Sequence, residues 1–413
     1  MQTYAAVFCL IENYLSLQMN KLLKYIPFLF FMLYTQITFS QTTVIFADGG
    51  LKQALSQSKA ENKPVMLWCY TTWCPHCKYM KTNVFTNQSV ADYFNRTFIC
   101  VSQDMEKGEG IDLNKEFKIA NFPTFIFFDP TGTTVYRIEG ELKSDAFIQE
   151  GKNALSPKKQ LPYLKQQFEK DTSNSSDCYT YLRALKKGGM DVSTVVKQYF
   201  ATQSDKQLLS EINWRIISNG ISDINSREMQ FVISHQKEYS AIASSERVKR
   251  KLDYLVKELL TPLVESNDTV NYLINRKPAS LIHLYSTDSL IFNFDLKIWS
   301  LTKNWKSYSN TCIQSVKHFA WNNPALLSDI AGNFLNNVSD TNALSLAEGW
   351  AQRSLALNET YDAYLLCSNL YRKLNDVKEA VLMAKKAKEL SSKFGWEGTE
   401  AEKLLKKMNE LNK

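Results

Sequence analysis

From Thr43 onward the chain alternates short apolar runs with stretches of helical spacing. Val44-Ile45-Phe46 opens the series, and Leu51, Ala54 and Leu55 then recur at intervals that put them on one face of a helix over 51–61. Pro64-Val65-Met66-Leu67-Trp68-Cys69-Tyr70 is almost continuously apolar, the pattern of a strand buried on both faces of a parallel sheet. Phe98-Ile99-Cys100-Val101 and Thr124-Phe125-Ile126-Phe127-Phe128 predict further strands. Asp129-Pro130-Thr131-Gly132 has Pro and Gly where a tight turn wants them, so Thr134 to Glu139 is expected back as a hairpin partner. A helix over Lys143 to Leu155 closes a unit of the size of one small α/β domain.

Beyond Ser156 the strand signals fade. Amphipathic stretches such as Ser245 to Leu260 alternate with Asn, Ser and Asp positions suited to helix caps, so the rest of the chain is expected to be all helix, dividing again near Asn310 into segments 156–310 and 311–413. Near the end Ala347, Ala351 and Ser354 recur as Ala380, Ala384 and Ala387, small residues that let paired helices approach closely. With Tyr364, Leu365 and Tyr371 between them and Asn375-Asp376 in a turn, this segment resembles tetratricopeptide repeats, whose period is about 34 residues. Repeat-like helices of this kind commonly bind peptides or proteins, and architecture alone explains them equally well.

The first 40 residues read differently. Lys21 and Lys24 precede the apolar run Ile26-Pro27-Phe28-Leu29-Phe30-Phe31-Met32-Leu33-Tyr34, and Thr38-Phe39-Ser40-Gln41 follows, the order of a cleavable export signal. The run is shorter than the about 20 residues a membrane span needs, so removal is expected, with no stable span afterwards and a periplasmic or extracellular destination for the mature chain, 41–155 being its α/β domain. Met19-Asn20-Lys21 is an ordinary beginning for such a signal, and translation is expected to start at Met19, not Met1.

At 413 residues the chain exceeds one compact core. It is 44% hydrophobic and 22% charged, as globular proteins are. Its net charge of +7 is scattered through the helices instead of gathered in a stripe, which argues against a nucleic-acid partner.

The chemistry concentrates at Cys74-Pro75-His76-Cys77, where a buried strand turns into a helix. Cysteines at this spacing lie one helical turn apart, within disulfide reach. Cys74 falls at the helix N-terminus, where free N–H groups and the helix dipole favour a thiolate, so it is the expected nucleophile. Cys77, one turn deeper, is then the thiol that resolves a mixed disulfide. A positively charged or hydrogen-bonding His76 favours the thiolate and so stabilises the reduced pair, making it a better oxidant. The competing zinc reading weakens because no second Cys-x-x-Cys exists and His235, His283 and His318 lie far along the chain, so no metal and no cofactor are expected.

Trp73-Cys74-Pro75-His76-Cys77-Lys78, the preceding Lys63-Pro64-Val65-Met66-Leu67 and the later Phe122-Pro123-Thr124 together resemble the thioredoxin superfamily over Thr43 to Leu155. The resemblance implies a central mixed sheet flanked by helices, a cis Pro123 facing the cysteine pair, and Phe122, Pro123 and Thr124 presenting backbone to an extended substrate; Trp73, Pro75 and His76 support the site. Asn62-Lys63-Pro64-Val65 and Val84-Phe85-Thr86-Asn87-Gln88-Ser89-Val90 are most similar to the C-terminal domain of the electron-transfer protein DsbD, whereas Cys-Pro-His-Cys is the version found in the oxidase DsbA. The two resemblances imply opposite redox directions. Many superfamily members carry a buried carboxylate six positions before the first cysteine; here Trp68 stands there, so Cys77 needs another proton acceptor.

With Cys9 lost in the leader, Cys69, Cys100, Cys178, Cys312 and Cys367 remain, an odd number expected to act as small apolar core residues, although an export compartment permits a bridge among the last three. The functional expectation is an extracytoplasmic thiol-disulfide oxidoreductase, leaning toward reduction, with protein thiols or disulfides as substrates, an unidentified thiol donor or acceptor, and a peptide or protein partner on the helices. The alternative is a binding or scaffold protein without essential redox turnover. A thiol reductase of cytochrome maturation is a lesser alternative, since those relatives carry an insertion for which Lys78 to Arg96 leaves no room.

Overall fold

The computed structural model describes residues 43–411. The expected leader, the Met19 start and Cys9 lie outside the described residues. The chain divides into two compact units, the first reaching Thr194 and the second beginning at Val195.

In the first unit the elements follow in the order α1 (Gly50–Glu61), β1 (Val65–Tyr70), α2 (Pro75–Tyr79, continued by a wide turn over Met80–Val84), α3 (Gln88–Thr97), β2 (Ile99–Asp104), α4 (Glu109–Phe117), β3 (Thr124–Phe128), β4 (Thr134–Glu139) and α5 (Ser144–Ala154). The sheet runs β2-β1-β3-β4. β1 pairs parallel with β2 and antiparallel with β3, and β3 pairs antiparallel with β4, so the sheet is mixed. The apolar run at Val65–Cys69 is wholly buried because it is the inner strand with helices on both faces.

Alternation along β1 sorts its side chains between the two faces. Met66 and Trp68 join a core with Cys74, Cys77, Met80, Phe85, Phe94, Phe125 and Phe147, while Val65, Leu67 and Cys69 pack with Leu51, Ala54, Ile99, Leu113 and Ile126. The first core is strongly aromatic: Phe94 stacks on Phe147 at 4.3 Å, and Phe147 tilts against Phe125 at 4.8 Å. Val44-Ile45-Phe46 forms no strand of its own; Phe46 makes an isolated parallel bridge with Cys100, and the Val44 N–H donates to the Phe85 carbonyl at 2.9 Å.

Two helices beyond Leu155, α6 (Leu161–Lys170) and α7 (Ser175–Lys187), pack against β4 and cover what would be an open sheet edge. Lys187 at the end of α7 is tied to the Glu150 carboxylate at 2.6 Å and to the Tyr136 hydroxyl at 3.1 Å, and that hydroxyl donates to Glu150 at 2.6 Å.

The second unit is helical throughout. Its caps are those the punctuation predicts: Ser210, Ser226, Asp268, Asn304, Asn323, Asp340, Thr360 and Asp376 each accept a backbone N–H at a helix start. The recurrent small residues all lie in packed interfaces: Ala347, Ala351 and Ser354 in helix Thr341–Leu357 and Ala380, Ala384 and Ala387 in helix Val377–Phe394 are buried. No helix among the described residues is long and apolar enough to cross a membrane.

Close packing of α4 on the end of β2 depends on Gly110, where an added Cβ would stand 1.9 Å from the Asp104 carbonyl oxygen. Overpacking against backbone costs about 1–3 kcal/mol, so Gly110→Ala should lower the first thermal transition by several degrees. Gly332→Ala is the control: a Cβ there meets nothing within 4 Å, and calorimetry should find its transition unmoved or slightly raised.

Candidate functional site

β1 ends at Tyr70, whose carbonyl accepts the Met105 N–H at 2.9 Å, and the chain turns through Thr71 to Trp73 into α2. Cys74 is the N-cap, with extended backbone at φ −72° and ψ 115°. Pro75 follows at the first helical position, where its lack of an N–H costs nothing and its fixed φ suits the helix. The Cys74 carbonyl accepts the Lys78 N–H at 3.1 Å, and the Cys74 sulfur accepts the Cys77 N–H at 3.2 Å. A sulfur thus occupies the place that a Ser or Asp oxygen takes in ordinary caps.

Both active-loop sulfurs are largely covered, Cys74 at 4% exposure and Cys77 at 2%. Burial, reinforced by the hydrogen bond with Cys74, pushes the Cys77 thiol up to about 12. The buried thiol therefore holds its proton at neutral pH. Trp68 lies buried in the same core and brings no carboxylate; its indole nitrogen, like the Thr71 hydroxyl, is buried without a hydrogen-bond partner.

Strand register explains what faces the cysteines. Because β3 runs antiparallel to β1, Thr124 at its start lies opposite Cys69 near the end of β1, which brings the residues before Thr124 to the head of α2. The Phe122–Pro123 peptide bond is cis, as the superfamily resemblance implies. The Cys74 thiol points to the Phe122 carbonyl at 3.5 Å, the Pro123 carbonyl accepts the Gly140 N–H at 2.8 Å, and the Thr124 hydroxyl donates to the Asn121 carbonyl at 2.7 Å. Of these three residues Phe122 meets the Cys74 sulfur through its carbonyl, and Pro123 and Thr124 follow it into β3.

Trp73 is 65% exposed yet fixed: its indole N–H donates to the Glu106 carboxylate at 2.9 and 3.0 Å, and its ring meets Phe122 edge-on. The hydrogen-bond partner of His76 is Glu141, whose carboxylate lies 2.9 Å from Nδ1. Glu106 and Glu141 were missed in the sequence because each comes from a loop far along the chain with no motif of its own; only the sheet order brings them here.

Cys69, Cys100, Cys178, Cys312 and Cys367 are all buried, unpaired thiols. Burial raises the thiols of Cys100, Cys178 and Cys367 to about 12 and those of Cys69 and Cys312 well above the ordinary range, which suits packing and not reaction. Among the described residues no group of three or more His, Cys, Asp or Glu is placed to hold a metal ion.

Residues 51–155 match the family model of a thioredoxin-like domain. The thiol:disulfide interchange protein DsbD of Yersinia enterocolitica is 31% identical over 106 residues, and that of Pseudoalteromonas atlantica 29% over 107; each match covers 25% of this chain and 18% of the relative. The chain thus spans less than a fifth of the length of these relatives. Among solved structures, a proposed disulphide-isomerase from Bacteroides thetaiotaomicron is 34% identical, with 28% of this chain and 97% of that one covered and a TM-score of 0.27. The oxidised C-terminal domain of Neisseria meningitidis DsbD is 24% identical, with 27% and 98% covered and a TM-score of 0.24.

The titration position of Cys77 gives a direct expectation for the reduced chain. Its thiolate fraction, and with it iodoacetamide labelling of Cys77 followed by peptide mass spectrometry, should rise about tenfold per pH unit from pH 7 to 9 without levelling. A plateau below pH 9 would contradict a buried, protonated Cys77 thiol.

Proposed function

Residues 51–155 form a thioredoxin-like domain, and from that premise we propose that this chain is an extracytoplasmic thiol-disulfide oxidoreductase whose Cys74–Cys77 pair acts on protein disulfides. The observation that carries the reading is the Cys77 N–H directed at the Cys74 sulfur, with the cis Phe122–Pro123 segment facing that sulfur.

The geometry supports a two-step exchange. The Cys74 thiolate attacks one sulfur of a substrate disulfide, forming a mixed disulfide and releasing the other substrate sulfur as a thiolate. Cys77 then loses its proton and attacks Cys74, which expels the second substrate sulfur and leaves a Cys74–Cys77 disulfide. The substrate gains two electrons, the enzyme pair loses them, and a separate dithiol donor must restore the reduced form. The backbone of Phe122 to Thr124 is the surface along which an extended substrate segment would lie, and Trp73 is the exposed aromatic beside it. The helices of the second unit are assigned to holding or selecting the protein partner.

Two features favour the reducing direction. The matched relatives of the domain are interchange proteins of the DsbD type, and the His76 ring that would make the pair oxidising is engaged by a carboxylate. Export rests on the leader-like run Ile26 to Tyr34 behind Lys21 and Lys24.

The chain from Gln41 on should accelerate reduction of insulin by dithiothreitol, measured as turbidity, and Cys74→Ser should abolish the acceleration. Cys77→Ser should retain attack but lose release, accumulating mixed disulfides that mass spectrometry of cell extracts can identify. A folded wild-type chain with no effect on insulin, and a Cys77→Ser chain that captures nothing, would defeat the reading.

A further inference from the structure

Three consecutive residues after β4 reach three separate parts of the active site. The Gly140 N–H, at a positive φ of 91°, donates to the carbonyl of the cis Pro123 at 2.8 Å. The Glu141 carboxylate meets His76 Nδ1 at 2.9 Å. The Leu142 N–H points to the Met80 sulfur at 3.3 Å. The strap 140–142 therefore fixes a carboxylate beside the first turn of α2, next to the only side chain of the Cys-Pro-His-Cys loop that can carry positive charge.

We propose that Glu141 is a positioning residue that sets the reduction potential of the Cys74–Cys77 pair: it cancels the charge of His76 and holds its ring off the Cys74 sulfur, biasing the pair toward the reductant side. The inference rests on the oxidoreductase reading and refines its direction.

The sign follows from charge alone. A pair that includes the carboxylate carries a net charge between zero and −1, whatever the protonation of the imidazole; with Glu141 neutralised the same site carries between zero and +1. The site therefore becomes more positive in every protonation state of His76. His76 is two residues from Cys74 in the same helical turn, within the about 10 Å over which exposed charges act at ordinary ionic strength. A more positive neighbour stabilises the Cys74 thiolate, hence the reduced pair, hence a more oxidising protein. The side chains are 62% and 43% exposed, so solvent screens them and the effect is a modest factor.

The test is equilibration of the intact mature chain with reduced and oxidised glutathione at pH 7, the redox state of Cys74 and Cys77 being read by alkylation. Glu141→Gln should shift the equilibrium constant about threefold toward the reduced pair, equivalent to about 14 mV for a two-electron couple, and Glu141→Lys further in the same direction. Both shifts should shrink in 1 M salt, where the screening length falls to about 3 Å, which a loss of packing in the strap would not do. Variants with the wild-type equilibrium, a shift toward the oxidised pair, or a shift indifferent to salt would each overturn the inference while leaving the oxidoreductase reading intact. A wild-type chain that never exchanges with glutathione would overturn that reading and the inference with it.

Discussion

The hydrogen bond from the Cys77 amide to the Cys74 sulfur ties the start of a helix to the reactivity of a thiol. An N-cap must accept a backbone N–H, and the helix of Pro75–Tyr79 is short, so its head depends on that acceptor. When the acceptor is sulfur, the interaction that begins the helix also fixes the place of the thiol. Depth does the rest: the second sulfur, one turn along, lies in the core that also holds Trp68, Met80, Phe85 and Phe125, and the desolvation that protects it also holds its proton. Unequal surroundings for two identical side chains thus arise from a single turn of helix.

The sheet supplies the aim. β1 is flanked on both sides, so its end is fixed, and the loop that follows can project only from the head of α2. The antiparallel pairing of β3 delivers the cis Pro123 segment to the same point, and the residues after β4 close the ring around it. α6 and α7 shield the edge strand that would otherwise be exposed, with the Tyr136, Glu150 and Lys187 cluster as their polar tie. Gly189, at a positive φ of 62°, takes the left-handed conformation where the chain leaves α7, one that a residue with a Cβ adopts only with strain.

Much of this was legible in the residues. The apolar run Val65–Tyr70, the Asp129 to Gly132 turn and the hairpin return over Thr134–Glu139 emerged where the pattern placed them, because each is decided locally by a short apolar run or by turn chemistry. The buried face of the terminal helices was visible as small residues recurring at helical spacing. Cys74 and Cys77 were found from spacing, and Pro123 from the superfamily resemblance. What stayed hidden was whatever depended on long-range register. Nothing local marks Glu106 as the partner of Trp73 or Glu141 as the partner of His76, 33 and 65 positions away. The effect of His76 was therefore read from its chemistry without its counter-charge. Likewise Val44-Ile45-Phe46 has strand composition but meets β2 only through Phe46, too little pairing to extend.

The central claim is that, of the seven cysteines among the described residues, only Cys74 and Cys77 exchange electrons. Its most direct test is peptide mapping of the chain from Gln41 on, alkylated after exposure to a graded series of glutathione redox buffers. The account predicts that Cys74 and Cys77 convert together, in one reversible two-electron transition, between two alkylated thiols and a linked disulfide, while Cys69, Cys100, Cys178, Cys312 and Cys367 remain thiols throughout. A pair that stays reduced in every buffer, or a disulfide that forms through one of the other five cysteines instead, would contradict it.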